Sequence, residues 1–172
     1  MLLTLLKALD TTDLMTVVKS LTLSPLDIDI LLYDAQEAGE VEIDKEKGTI
    51  TALKEPAYIY YDEVLANKLI KIMRKYDEQE ANITRNRLEQ ITLDLVGGHG
   101  CTIQDFLCTL YALEQNTIPG MVQVNKYEIS VPEIKKVRPA NTFVFYTLTN
   151  HQEFGEKAVK EYVDHFATSA VK

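Results

Sequence analysis

The chain has 172 residues and a mass of 19.5 kDa, and 46% of its residues are apolar. That suits one ordinary domain or two small ones with a real core, and it excludes an intrinsically disordered chain. Eighteen Lys and Arg stand against 26 Asp and Glu, for a formal charge of -8, so general attachment to phosphate backbones or anionic lipid is not expected. Any nucleic-acid surface must be local. Two cysteines, Cys101 and Cys108, are too few for a disulfide framework and read as reduced thiols of a cytoplasmic protein. The opening MLLTLLKALDTT has neither a cationic leader nor a long apolar run, which predicts no signal peptide and no membrane span.

Charge is spread unevenly. Residues 1–56 hold 5 basic and 11 acidic side chains, residues 57–150 hold 10 and 11, and residues 151–172 hold 3 and 4. With Pro56 interrupting the pattern, the expected division is an acidic first domain over 1–56, a nearly balanced second over 57–150, and a terminal segment over 151–172.

In chain order, Leu2 to Leu9 and Asp13 to Leu21 are apolar at helical spacing, with a turn and cap at Asp10-Thr11-Thr12-Asp13. Ser24-Pro25-Leu26-Asp27 combines a capping serine, a first-turn proline and an acid three residues after the cap. The helix it starts should run to Ala38 and stop at Gly39. Val41, Ile43 and Ile50 alternate with polar residues around Asp44-Lys45-Glu46-Lys47-Gly48, which predicts a β-hairpin. Ala57 to Tyr61 is tyrosine-rich and could extend that sheet.

Three helices followed by a hairpin form the plan of the winged helix-turn-helix superfamily, and SPLDIDILLYDAQEAGEVEIDKEKGTITAL resembles its third helix and wing. The resemblance rests on Ser24-Pro25 at the cap, on Ile28, Leu31, Leu32 and Ala35 facing inward, on Ala38-Gly39 at the stop, and on Val41 and Ile43 opening the wing. In DNA-binding members the outward positions of this helix carry residues that bond base edges and phosphates. Here they hold Leu26, Asp27, Asp29, Ile30 and Tyr33. Leu26, Ile30 and Tyr33 form a second apolar stripe, with Asp27 and Asp34 beside it. A carboxylate facing phosphate is repelled, so the helix is unsuited to a major groove. Two readings of the stripe stand: packing on the chain's own second domain, or a docking face for another protein.

The second part repeats the plan. Asp62 to about Tyr76 sets Val64, Leu65, Leu69, Ile72, Met73 and Tyr76 on one face and Lys68, Lys71, Arg74 and Lys75 on the other. A helix over Arg85 to Val96 ends in Gly97-Gly98-His99-Gly100, and Thr102-Ile103-Gln104-Asp105 repeats the cap signature ahead of Phe106, Leu110 and Leu113. Met121 to Val131 and Thr142 to Leu148 read as the strands of a longer wing. Outward candidates on the third helix are Gln104, Asp105, Leu107, Cys108 and Tyr111, again without a basic residue. The tail from Gln152 to about Thr168 carries one apolar stripe, to be buried on the chain's own domains or in a homodimer. The expected fold is mainly α with small β-wings (α+β), as two tandem winged-helix domains and a C-terminal helix.

Local positive charge gathers in three groups: Lys68, Lys71, Arg74 and Lys75; Arg85 and Arg87; and Lys135, Lys136 and Arg138 in the second wing. They are either solvated surface or nonspecific phosphate contacts. Catalytic signals are thin. Gly97-Gly98-His99-Gly100-Cys101 reads as a glycine turn rather than a phosphate loop, because it lacks the Walker and GxGxxG spacings, and rather than a thiol nucleophile site. His99, Cys101 and Cys108 lack a fourth metal ligand. No cofactor, metal, membrane or small-molecule substrate is expected. Three functions are weighed: an adaptor that binds proteins or a second copy of itself, a DNA-binding regulator acting through the second domain, and an enzyme centred on His99 and Cys101. The first is favoured, and in composition and doubled plan the chain resembles the acidic tandem winged-helix subunits of chromosome-organising complexes.

Overall fold

Leucines at helical spacing build the first element of the computed structural model. This structure describes residues 1–79, 83–96, 102–131 and 141–148, together with Lys157, Lys160 and Asp164. Helix α1 (Leu2–Leu9) buries Leu2, Leu5 and Leu6, each worth roughly 2 kcal/mol of apolar transfer. It stops at Asp10, which takes a left-handed conformation with φ of 49°. Helix α2 (Leu14–Ser20) is capped by Asp13, whose carboxylate accepts from the Thr16 N–H at 3.2 Å.

Helix α3 (Pro25–Glu37) starts where the sequence places it. The Ser24 hydroxyl oxygen accepts from the Asp27 N–H at 3.2 Å, and Pro25 fills the first turn. At its far end Gly39 has φ of 70°, and the Glu40 N–H turns back to the Ala35 carbonyl at 2.9 Å. Strands β1 (Val41–Asp44) and β2 (Thr49–Ala52) pair antiparallel, Val41 opposite Ala52 and Asp44 opposite Thr49. Asp44 Oδ1 accepts from the Glu46 and Lys47 N–H groups and shapes the turn.

The second half contains α4 (Glu63–Glu78), β3 (Ile83–Thr84), α5 (Arg85–Val96), α6 (Ile103–Glu114), β4 (Asn125–Val131) and β5 (Asn141–Thr147). The strands lie in the order β3-β5-β4, all antiparallel. Among the described residues the fold is therefore a mainly helical α/β mixture of six helices and two small sheets.

Two features were not foreseen. Ile83–Thr84 is a strand paired to β5, and Asp13 makes an isolated antiparallel bridge to Thr49 of β2. Flanking that bridge, the Ile50 N–H donates to Thr12 O and the Leu14 N–H to Gly48 O, both at 2.9 Å. Each half thus runs helix, short extended stretch, helix, helix, hairpin, with the extended stretch bonded to the last strand.

Three expectations need correction. Ala57 to Tyr61 does not join the sheet. Its backbone bonds elsewhere: the Tyr60 N–H donates to Thr4 Oγ1 and, just beyond, the Asp62 N–H donates to Thr109 Oγ1, each at 3.0 Å. The segment is a strap over α1 and α6, and tyrosine's β propensity loses to those two hydroxyls. Val64 is 64% exposed. Helical phase sets it among Lys68, Lys71 and Lys75 rather than with Leu65 and Leu69. Residues 121–124 precede β4 instead of belonging to it, because the Val124 N–H is taken by Leu113 O at 3.2 Å.

One apolar core runs through both halves, from Leu5, Val17 and Ile50 to Leu69, Phe106 and Val124. Helix α1 packs along α6, and α6 also packs on α4. The glycine turn with His99 and Cys101, the second wing loop with Lys135, Lys136 and Arg138, and most of the tail lie outside the described residues. In the tail, Lys157, Lys160 and Asp164 are helical and exposed.

Candidate protein-docking face

The local sequence that starts and stops α3 also fixes what it shows to solvent. Ile28, Leu31 and Leu32 pack toward the core with the buried Ala35. On the opposite side Leu26 is 68% exposed, Ile30 49% and Tyr33 64%. Residues four and three apart stack along one side of a helix, so these three make a continuous ridge. Asp27 and Asp34 run along one edge of it, Asp29 along the other, and Glu37 ends it. All four carboxylates are exposed and make no ion pair among the described residues. Among the described residues nothing from the second half covers the ridge, and its three side chains stay exposed.

The corresponding side of α6 is sealed. Thr102 caps this helix through the Asp105 N–H at 3.1 Å. Gln104, Leu107 and Cys108 were expected to face outward, yet they are 7%, 6% and 0% exposed. The covering element is α1 with the segments next to it. Gln104 Oε1 accepts from the Thr22 N–H, the Cys108 thiol points to Met1 O at 3.9 Å, and the Tyr60 hydroxyl donates to Asp105 Oδ1 at 3.0 Å. Tyr111 is half-buried on the same side. A helix covered along this side has no free edge to place in a groove.

Burial sets the chemistry of that seam. Desolvation first, then the bond and charge of Asp105, pushes the Tyr60 hydroxyl up to about 12. Desolvation also pushes the Cys108 thiol up to about 12, so Cys108 is a poor nucleophile and packs as a small apolar group. Around the second sheet, burial raises Glu114, offset in part by the charges of Lys126 and Arg85. Tyr146, 4% exposed, is raised to about 12 by burial.

The basic groups fall in different places. Lys68, Lys71, Arg74 and Lys75 are all exposed on one side of α4 and make no ion pair among the described residues. Arg85 is half-buried near Glu114 and Tyr146. Arg87 is exposed, and its N–H donates to Thr84 Oγ1 at 3.3 Å. Beside the α4 stripe lies a groove of about 150 Å³ lined by Asn67, Ile70, Lys71, Arg74 and the segment from Gly120 to Val122. An open cleft of about 420 Å³ sits between α1 and β2. Among the described residues no cluster of three His, Cys, Asp or Glu could hold a metal ion, and no helix is long and apolar enough to cross a membrane.

Comparison of the chain with protein-family models, with curated proteins and with solved structures finds no match to any of them. The residues themselves carry the functional reading. Its least legible part is the polar seam of Thr4, Gln104, Asp105 and Thr109. Thr4 and Thr109 at apolar phase in α1 and α6 are the one sequence signal for it, since buried hydroxyls need partners.

Proposed function

We propose that this chain is a non-enzymatic tandem winged-helix protein that acts as a protein-binding adaptor or assembly component through the outward side of α3. The doubled element order supports the tandem arrangement: in each half the stretch before the second helix bonds to the last strand. One observation carries the functional reading. The α3 ridge of Leu26, Ile30 and Tyr33 is open to solvent and edged by carboxylates, whereas the equivalent side of α6 is closed by α1. Exposed apolar ridges of this kind mark binding surfaces, and aromatic residues such as Tyr33 are frequent anchors in them. The carboxylates that would repel a phosphate backbone suit a partner with basic side chains around an apolar strip.

Ile30→Asp tests this. The variant keeps the fold, because Ile30 touches solvent rather than core, and it loses capture of the protein partner that the parent retains. Equal capture by a folded Ile30→Asp protein would remove α3 from the interface. A second reading, DNA binding by the second half, is favoured by the exposed stripe of Lys68, Lys71, Arg74 and Lys75, which makes no ion pair among the described residues. Phosphate contacts of that kind position a protein without reading sequence. Duplex DNA binding that disappears above about 200 mM salt is its signature.

A further inference from the structure

The charge pattern that α3 asks of a partner is present on the chain itself. Helix α4 turns Lys68, Lys71, Arg74 and Lys75 to solvent around the exposed Val64. On its flank the groove over Ile70 and Met121 is edged by Val122, itself 47% exposed. This surface is a row of cations with separate exposed apolar side chains at Val64 and Val122, and the α3 ridge is an apolar strip with an acidic border. Both stay exposed within one molecule, so the two do not cover one another there.

We infer that α3 of one molecule docks on the basic side of α4 in a second copy of the same chain. The inference rests on the reading of α3 as a docking face and names its occupant. Asp29 and Asp34 oppose the cations of α4, while Leu26, Ile30 and Tyr33 bury against Val64, Val122 and the groove floor. A Lys or Arg head over the Tyr33 ring adds a cation–π contact. When two molecules exchange the contact, a two-fold axis duplicates it and doubles the area buried. The chain's net charge of -8 opposes association at long range, but at ~150 mM salt the screening length is about 8 Å, so facing patches dominate at contact.

Light scattering on the eluting full-length chain, at protein concentrations spanning about a hundredfold, tests this with two charge reversals. The parent is expected to self-associate. Asp29→Lys with Asp34→Lys, and separately Lys71→Glu with Arg74→Glu, should each weaken self-association about tenfold or more with unchanged helical circular dichroism. An equimolar mixture of the two variants should recover the associated species, because each then presents a surface opposite in sign to the other's. A monomeric parent, reversals without effect, or a mixture that stays monomeric would each overturn the inference. The adaptor reading fails separately, on equal partner capture by parent and Ile30→Asp.

Discussion

The backbone N–H of Thr22 donates to the side-chain oxygen of Gln104, tying the turn ahead of α3 to the first turn of α6. The two residues are far apart in sequence, and the bond fixes where the exposed ridge of α3 stands relative to the second half. With Tyr60 bonded to Thr4 and Asp105, and Asp62 to Thr109, it makes the contact between the halves a polar seam within an apolar core.

Replacing Gln104 with Leu keeps the volume and removes the acceptor. The partly buried Thr22 N–H then loses its partner, at a cost of about 1–2 kcal/mol. In urea unfolding the midpoint should fall with the slope unchanged. An unchanged midpoint would mean that water replaces Gln104 without loss.

Ser24→Ala removes the side-chain N-cap of α3, and should cost about 1 kcal/mol. The consequence is functional as well, since Leu26 lies in the first turn and frays with it. Partner capture should weaken although no ridge residue has changed, and Ser24→Asp, which can accept the same N–H, should restore both stability and capture.

This part of the molecule was the most legible in sequence, for a physical reason. The start of α3, its stop at Gly39 and the β1–β2 hairpin are specified by residues a few positions apart, so a local reading reaches them. The bridge from Asp13 to Thr49 and the two-residue strand at Ile83 depend on partners far along the chain and leave no periodic trace. The side of α6 misled for another reason. Gln104 and Asp105 are polar, and polarity in a helix ordinarily means solvent. Here Thr22 and Tyr60 supply the hydrogen bonds that let them lie under α1 and the strap. Val64 erred in the opposite direction, an apolar residue whose helical phase belongs to the basic stripe.

Alkaline pH should loosen the fold in a defined window. Cys108 moves from an ordinary 9.0 to about 12, and Tyr60 and Tyr146 from 10.0 to about 12, chiefly through burial, which favours the neutral form, and for Tyr60 also through its hydrogen bond to Asp105. Each folded-state value lies above the unfolded one, so the unfolded chain gives up these protons first. Stability is therefore full below about pH 9 and falls as pH rises toward 12. Tyr60→Phe and Tyr146→Phe should each make the decline shallower in denaturant titrations at successive pH values. A parent whose stability is flat from pH 9 to 12 would contradict the burial of these groups.

The most direct test of the α3 assignment is a photo-crosslinking benzophenone amino acid placed at Tyr33, which is 64% exposed at the middle of the ridge. Irradiated in native extract, the protein should form covalent adducts with polypeptide, and Ile30→Asp in the same chain should suppress them. Adducts that consist of nucleic acid, and that survive Ile30→Asp, would contradict the account.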